Sequence, residues 1–199
     1  MPRPSVKAER TEEILDAFER CVARYGVEGA TLERIAEEAG LRRSLLRHYI
    51  GNRDELIEAL TTRFIARSDA QGEKLYGALP ETGRATALLD YLFDERYSNN
   101  HLALVACALI AAAPSHPPIS ARLHGWTQHF VDGIARELQR SYPAADAAAC
   151  WEVAAGLSGI YFNVESLAPL GRIKTLRNAS KKAAERLIST LDDIGELPA

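Results

Sequence analysis

Arginine is concentrated between residues 42 and 53, where the chain has four arginines and no acidic residue. A guanidinium group pairs with phosphate, and it can also donate two parallel hydrogen bonds to O6 and N7 of guanine. One such contact discriminates between bases by about 1–3 kcal/mol. Leu45 has no hydrogen-bonding group, so it either touches a thymine methyl or packs. The positions predicted to face a nucleic acid are Arg42, Arg43, Ser44, Leu45, Arg47 and His48.

Three further residues are candidates for contacts with the sugar–phosphate backbone. Thr31 is predicted as a helix N-cap whose hydroxyl satisfies a free amide, and a phosphate contact is an added possibility. Arg53 is predicted to hold a phosphate together with the free amides at the start of the following helix. Tyr49 has two interpretations, a phosphate contact or a hydrophobic plug of the small domain.

Short helices must position these side chains. A first helix is predicted from Lys7 or Thr11 to Tyr25, ending at Gly26, with a loop over residues 27–30. Two short helices follow over residues 32–39 and 42–49, joined by a turn at Gly40. Such a pair forms a helix-turn-helix, whose second helix can enter the DNA major groove. Asn52 and Glu55 have the spacing of a capping box that opens the next helix.

The remaining sequence also predicts helices. Apolar residues recur at helical spacing, and no window alternates as a half-buried strand would. A long helix is predicted over residues 54–79, and about five more over residues 81–199. The chain is therefore predicted to be all-α, with about nine helices. Its domains are predicted as a helix-turn-helix domain over residues 1–53 and a helical domain over residues 54–199.

The run from Thr31 to Leu56 resembles the DNA-binding domain of TetR-type repressors. The resemblance rests on the Thr cap, on Ile-Ala-Glu-Glu-Ala-Gly over residues 35–40, and on the basic residue and Leu that open the fourth helix. The dipeptide His48-Tyr49 is similar to the choline-responsive, BetI-like branch. The chain departs from the family pattern at three positions, so an operator sequence does not transfer from relatives. These departures are Leu45, Arg47 and Ile50.

The resemblance implies that the larger domain holds a ligand cavity and forms a homodimer. Aromatic residues and one cysteine are candidates to line the cavity, although any single one of them is more often an ordinary core residue. They are Phe64, Tyr91, Cys107, Trp126, Phe130, Trp151 and Tyr161.

Two segments near the end of the chain have features of a subunit interface. Residues 146–167 contain several small residues, and apolar residues recur at near-heptad spacing from Leu176 to Ile194. Two such helices from each subunit could form a four-helix interface. Alternatively, these faces close the core of a single subunit. The interface candidates are Ala155, Gly156, Gly159, Ile160, Ala183, Leu187 and Leu191.

Composition argues against several classes of protein. The net charge is −3 and the three cysteines lie far apart, which makes a disulfide framework and a cysteine zinc site improbable. No secretory signal is expected, and the longest apolar stretch has only twelve residues (102–113), too short to span a bilayer. His124 and His129 are five residues apart, unlike helical metal ligands, so no metal or cofactor is expected. We therefore expect a soluble, cytoplasmic protein without a membrane partner.

No catalytic motif emerges from the sequence. It contains no Gly-rich phosphate loop, no GxSxG and no HExxH. The sequence thus predicts a dimeric transcriptional regulator rather than an enzyme, with a repressor role implied by the resemblance. Its partners would be a double-stranded DNA operator and an unidentified small-molecule effector. The alternative is a dimeric helical sensor of small molecules without sequence-specific DNA binding.

Overall fold

The computed structural model describes residues 6–98, 100–171 and 173–193, and these ranges contain helices and no strand. The all-α prediction is confirmed, with nine α-helices in the described chain. No helix in these ranges combines the length and apolar character needed to cross a membrane. The helices are α1 (Val6–Gly29), α2 (Leu32–Glu38), α3 (Arg43–Ile50), α4 (Arg53–Ala78), α5 (Arg84–Phe93), α6 (Asn100–Ala112), α7 (Pro117–Ser141), α8 (Ala147–Leu167) and α9 (Lys174–Asp193).

The predicted bounds of α2, α3 and α4 agree with the structure to within one residue. The loop predicted over residues 27–30 was wrong, because the chain makes another helical turn as far as Gly29. Gly26 interrupts α1 with φ 71° and ψ 172°, and the next turn buries Val27. Ile194, at the end of the predicted last helix, lies outside the described residues.

The chain divides into two compact units, the first formed by residues 1–67 and 104–124. Its core contains the inner faces of α1, α2, α3 and the start of α4. Tyr25 has the helical spacing of the core residues of α1, but it is 44% exposed, and its ring lies against the guanidinium of Arg34. The largest fully buried side chains of this core include Phe18, Ile14, Ile35, Leu56, Leu60 and Phe64.

Ion pairs join α1 to α4 inside the first unit. Arg63 on α4 is only 10% exposed, and it pairs with Asp16 and with the buried Glu19 on α1. Arg67, one turn further along α4, pairs with Glu19 at 2.7 Å. Because breaking a buried pair leaves an uncompensated charge, these contacts hold α4 firmly against α1.

The second unit is formed by residues 68–103 and 125–199. Its core lies among α5, α7, α8 and α9. Asp146 begins α8 as an N-cap, since its carboxylate accepts a hydrogen bond from the amide of Ala148. The fully buried Glu165 on α8 pairs with Arg177 on α9 at 2.8 Å. The Ser98 hydroxyl donates a hydrogen bond to Glu165, so this buried pair is tied to the chain before α6.

Candidate nucleic-acid interface

The turn between α2 and α3 is closed by its own backbone. Gly40 has φ 63°, which is the left-handed conformation that glycine adopts most readily. The amide of Gly40 donates to the carbonyl of Glu37 at 3.1 Å, and that of Leu41 donates to Ala36 at 2.8 Å. This pair of bonds is a Schellman motif, which satisfies the last carbonyls of α2 and redirects the chain into α3.

Helix α3 packs on one face and is exposed on the other. Leu46 is 2% exposed and anchors α3 in the first unit, whereas Leu45 is 39% exposed. The predicted contact residues all lie at the surface, so the structure brings them together on one short helix. They are Arg42, Arg43, Ser44, Leu45, Arg47 and His48.

The arginines of this region are not equally available to a ligand. Arg43 forms an ion pair with Glu33, which projects from α2. The side chains of Arg42 and Arg47 have no hydrogen bond or ion pair with any residue in the described part of the chain. Although residues 42–53 contain no acid, two of their four arginines lie beside carboxylates from other segments, Arg43 beside Glu33 and Arg53 beside Glu28. Two guanidinium groups remain free for an incoming anion.

Arg53 is used inside the protein. Its guanidinium donates hydrogen bonds to the carbonyl oxygens of Val27 at 2.5 Å and Ala30 at 2.9 Å, and it lies 3.8 Å from the carboxylate of Glu28. The side chain is 29% exposed. Arg53 thus joins the start of α4 to the connection between α1 and α2, and these bonds compete with the predicted phosphate contact.

Local capping residues have the predicted structural roles. The hydroxyl of Thr31 accepts the amide of Arg34 at 3.4 Å and so caps α2. The capping box is confirmed, since the amide of Glu55 donates to Asn52 at 2.9 Å and the amide of Asn52 donates to Glu55 at 3.1 Å. Gly51, at φ 80°, leaves room for this carboxylate, because a Cβ there would clash with Glu55.

Tyr49 remains compatible with both interpretations. Its side chain is half-buried, as expected of a plug at the end of α3. Its ring also packs edge-on against the exposed ring of His48, with the two centroids 5.1 Å apart. The aromatic pair therefore lies at the border between the small core and the exposed face.

The predicted effector residues do not line a single cavity. Phe64 is 1% exposed and Cys107 is half-buried, and both belong to the first unit. Burial raises the pKa of the Cys107 thiol, so that thiol is mainly neutral. The other candidates belong to the second unit, and all of them except Tyr161 line one of three different pockets. They are Tyr91, Trp126, Phe130, Trp151 and Tyr161.

Trp126 and Phe130 line one cavity of about 100 Å³ in the second unit. The indole N–H of Trp126 donates to the Ser68 hydroxyl at 2.8 Å, which fixes the ring at the cavity wall. The ring of Tyr161 lies next to that of Phe130, and burial raises the pKa of Tyr161. The other lining residues are Asp69, Gly72, Glu73, Tyr76, His129 and Arg136.

The acidic and polar part of this cavity was missed from the sequence. Asp69, Glu73 and Tyr76 recur at intervals of three and four residues on α4, which is the spacing of one helix face. Ordinary exposed charges on a helix show the same spacing. Only the neighbouring aromatic residues of α7 indicate that these three residues line a cavity. Burial raises the pKa of Tyr76 to about 12, which keeps the phenol neutral and able to donate a hydrogen bond.

Two other pockets contain the remaining aromatic candidates. Tyr91 stacks on Tyr97, with ring centroids 4.4 Å apart, in a groove of about 510 Å³ beside α4 and α5. Trp151 is 46% exposed, and its indole N–H donates to Asp132 at 3.0 Å at the edge of a shallow pocket. These positions separate Tyr91 and Trp151 from the aromatic cavity at Trp126.

Some of the predicted interface residues lie at the surface of the chain, and others are covered within it. Gly159 and Ala183 are exposed, and Ala155 and Ile160 are half-buried. Leu191 is 3% exposed and belongs to the core of the second unit. Gly156 is covered by α9 of the same chain, because a Cβ there would lie 2.7 Å from Cδ2 of Leu187. The small residues of α8 thus serve, at least at Gly156, to let α9 approach.

Comparison with known proteins identifies the class. The family model described as "Bacterial regulatory proteins, tetR family" matches residues 14–60, which span the helix-turn-helix and its supporting helices. The HTH-type transcriptional regulator BetI of Escherichia coli is 29% identical over 168 residues, covering 81% of this chain and 85% of that protein. Residues 14–60 of the chain thus match the DNA-binding domain of TetR-family regulators.

Other relatives agree with this assignment. A regulator named BetI 2 from Chromohalobacter salexigens is 27% identical, and the match covers 74% of this chain and 72% of that protein. A TetR transcription regulator from Haloarcula marismortui has a TM-score of 0.73 at 19% identity, covering 92% and 97% of the two chains. A TetR-like regulator from Rhodococcus has a TM-score of 0.68 at 20% identity, covering 96% and 98%. The two solved structures establish the shared fold. The match to the family model and the regulator relatives support a DNA-binding regulator rather than an enzyme.

The different roles of the arginines can be tested by stability. Arg53→Ala should lower the free energy of unfolding by about 1–3 kcal/mol, because two partly buried carbonyls lose their charged donor. Arg47→Ala is the matched control, and its effect should stay within about 0.5 kcal/mol because that side chain is exposed and unpaired. Urea denaturation followed by circular dichroism measures both. Equal effects of the two substitutions would contradict the structural role of Arg53.

Proposed function

We propose that this regulator binds a palindromic operator as a homodimer and that a small-molecule effector releases it, so that it acts as a cytoplasmic repressor. The observation that carries the proposal is the exposed α3, with its unpaired Arg42 and Arg47. Arg42, Arg43, Ser44, Arg47 and His48 contact base edges or adjacent phosphates in the major groove, and Leu45 packs against a thymine methyl. Thr31 and Tyr49 border this face and contact the phosphate backbone, with Arg53 behind them.

The charge distribution supports binding to the groove through α3. Residues 1–60 contain more acidic than basic side chains, so the small unit is not a general polycation. In the described part of this unit, the exposed guanidinium groups of Arg42 and Arg47 have no internal partner, and they lie at the N-cap and on the outer face of α3. The affinity for DNA should therefore fall steeply with added salt, because each phosphate contact releases counterions. The affinity should also depend on the base sequence of the duplex.

Arginine substitutions test the DNA contacts. Arg43→Ala and Arg47→Ala should each weaken binding about 5- to 150-fold, the equivalent of 1–3 kcal/mol for a base contact. Arg140→Ala is the matched control, since Arg140 is an exposed arginine on α7 in the second unit. The probe is the duplex that the wild-type protein selects from a random pool, and binding is measured by fluorescence anisotropy at moderate salt. Unchanged affinity in both α3 variants would overturn the assignment of this face.

The dimer is proposed to form through the outer faces of α8 and α9. These faces expose small or apolar residues that a single chain leaves uncovered, including Gly159, Ala183 and Leu176, which is 37% exposed. Two helices from each subunit would form a four-helix interface around a two-fold axis. The two copies of α3 would then lie about 34–36 Å apart, the separation of successive major grooves on one side of the duplex.

A charge placed on the proposed interface tests dimer formation. Ala183→Glu should convert the dimer to a monomer, because an exposed position of the free chain would become an unpaired buried charge in the dimer. Ser189→Glu adds the same charge at an exposed position on another side of α9 and should leave the dimer intact. Sedimentation velocity gives the molecular mass of both variants. A monomeric wild-type protein, or an Ala183→Glu dimer, would contradict the proposal.

The effector is proposed to bind in the cavity beside Trp126 and Phe130. Aromatic faces attract cations, and the carboxylates of Asp69 and Glu73 outweigh the single charge of Arg136 at the cavity. These groups suit a small organic cation. Asp69 and Glu73 project from α4, the helix that begins at Arg53, so a bound effector that favours a different position of α4 would change the DNA-binding affinity.

Tetramethylammonium is a suitable probe of this cavity. It should change the tryptophan fluorescence saturably, whereas sodium chloride at the same ionic strength should not. Asp69→Asn should weaken the response about two- to fivefold, as expected for the loss of one exposed electrostatic contact of about 0.5–1 kcal/mol. Asp192→Asn, an exposed carboxylate on α9 outside the cavity, is the control. Equal responses to both salts would show that the cavity does not select cations.

A further inference from the structure

The groove beside α4 and α5 is a separate space from the aromatic cavity at Trp126. Its volume of about 510 Å³ lies within the range of about 300–1,000 Å³ that is usual for small-molecule sites. Lys74 and Ala78 of α4 line the groove, whereas Asp69 and Tyr76 line the cavity. Because an α-helix turns by about 100° per residue, these two pairs lie on different faces of α4. The groove and the cavity share no lining residue, so they are independent as binding sites.

Two stacked tyrosines form one wall of the groove. Tyr91 on α5 and Tyr97 in the 3-10 turn Glu95–Tyr97 have ring centroids 4.4 Å apart and an angle of 12° between their planes. Tyr97 is 46% exposed, so part of this aromatic surface is open to a ligand. Such a wall suits a flat apolar group, because aromatic rings attract each other in offset stacks. The apolar residues that line the rest of the groove are Leu75, Ala78, Leu79, Pro80 and Ala87.

The turn that carries Tyr97 is fixed at both ends. Asp94 caps the turn, since its carboxylate accepts a hydrogen bond from the amide of Arg96 at 2.8 Å. Ser98, directly after the turn, donates a hydrogen bond to the fully buried Glu165 at 2.7 Å. The fold thus sets the position of the Tyr97 ring before a ligand arrives, which lowers the entropic cost of ordering the site on binding.

The acidic groups at the groove already have cationic partners within the chain. The carboxylate of Asp90 lies 2.5 Å from Nζ of Lys181 on α9. The carboxylate of Asp94 accepts hydrogen bonds from the guanidinium of Arg96, at 2.9 Å from Nε and 2.5 Å from Nη2. These bonds lower the pKa of Asp94 to about 2, so the carboxyl group stays ionised and paired. An incoming cation would have to displace one of these partners.

Lys74 supplies the unbalanced charge of the groove. Its side chain has no hydrogen bond or ion pair with any residue in the part of the chain that the structure describes. Because Lys181 balances Asp90 and Arg96 balances Asp94, one positive charge remains at the lining. This charge is opposite in sign to the acidic excess at the aromatic cavity. The groove therefore favours an anion, and its stacked rings favour an aromatic one.

We propose that this groove is a second ligand site, which binds a small aromatic carboxylate. The ring of the ligand lies against Tyr91 and Tyr97, and its carboxylate accepts a hydrogen bond from the ammonium group of Lys74. The site differs in lining residues and in ligand charge from the cation site proposed above. Its occupation does not require that the protein bind DNA.

Two fluorinated probes test the charge selection of the groove. para-Fluorobenzoate and para-fluorobenzamide share a ring and differ in charge, and fluorine NMR titration of the full chain gives the Kd of each. Wild-type protein should bind the benzoate about two- to fivefold more tightly, as expected for one exposed ion pair. Lys74→Met should remove this preference and leave the affinity for the amide unchanged. Lys182→Met, at an exposed lysine on α9 outside the groove, is the matched control and should keep the preference.

Substitution of Tyr97 tests the aromatic wall. Tyr97→Leu should weaken the binding of both probes about two- to tenfold, because a ring contact is lost. Tyr97→Phe keeps the ring and should bind both probes as the wild type does. Circular dichroism shows whether each variant is folded, and the Lys74→Met result decides the proposal if Tyr97→Leu is not. Binding of the benzoate that does not saturate, equal effects of Lys74→Met and Lys182→Met, or unchanged affinities in folded Tyr97→Leu would overturn the proposal.

Competition separates this site from the proposed effector cavity. Tetramethylammonium should not displace para-fluorobenzoate, because the two sites share no residue. Displacement would show one common site and would overturn the proposal. If tetramethylammonium does not bind but the benzoate binds in the Lys74-dependent manner, the groove site holds and the effector cavity fails.

Discussion

The turn before α2 is held by the guanidinium of Arg53, and this turn leads into the helix pair α2 and α3. Helices of seven and eight residues, such as α2 and α3, are marginal on their own, so tertiary contacts must hold them. Arg53 binds two backbone carbonyls of the turn before α2, and backbone contacts of this kind fix position more tightly than contacts between flexible side chains. Because Arg53 is also the first residue of α4, any movement of that helix reaches the turn directly.

Among the arginines of residues 42–53, some lie beside carboxylates and others have no partner. Arg43 is balanced by Glu33, and Arg53 lies beside Glu28, whereas Arg42 and Arg47 are unpaired within the described chain. The charge available to a duplex is therefore smaller than the number of arginines in the sequence indicates. Such a surface depends on the placement of a few groups, which is consistent with a regulator that reads sequence and does not coat DNA indiscriminately.

Local features could be predicted from the sequence because neighbouring residues determine them. The Thr31 cap, the turn at Gly40 and the capping box of Asn52 and Glu55 each involve residues within a few positions of one another. The contacts of Arg53 were not predictable, because its partners lie 23 and 26 residues earlier in the chain. Tyr25 has the spacing of a core residue, and its exposure follows from the interruption at Gly26.

The candidate cavity, too, could be predicted only in part from the sequence. Helical spacing places Trp126 and Phe130 on α7, but periodicity does not reveal which face of α4 lies opposite. Asp69 and Glu73 therefore have no sequence signal that distinguishes them from solvated acids. Residues that a pattern assigns to one pocket, such as Phe64 and Trp126, belong to different units in the structure.

The contact between Gly156 and Leu187 affects how mutational scans of α8 should be interpreted. A methyl group at position 156 would meet the side chain of α9 within the same chain, so the two helices would have to separate. If the proposed dimer were lost after such a change, the cause would be an altered distance between helices inside each chain rather than a lost contact across the proposed two-fold axis. Surface positions such as Gly159, where an added methyl meets no neighbouring atom within 4 Å, report on association without this ambiguity.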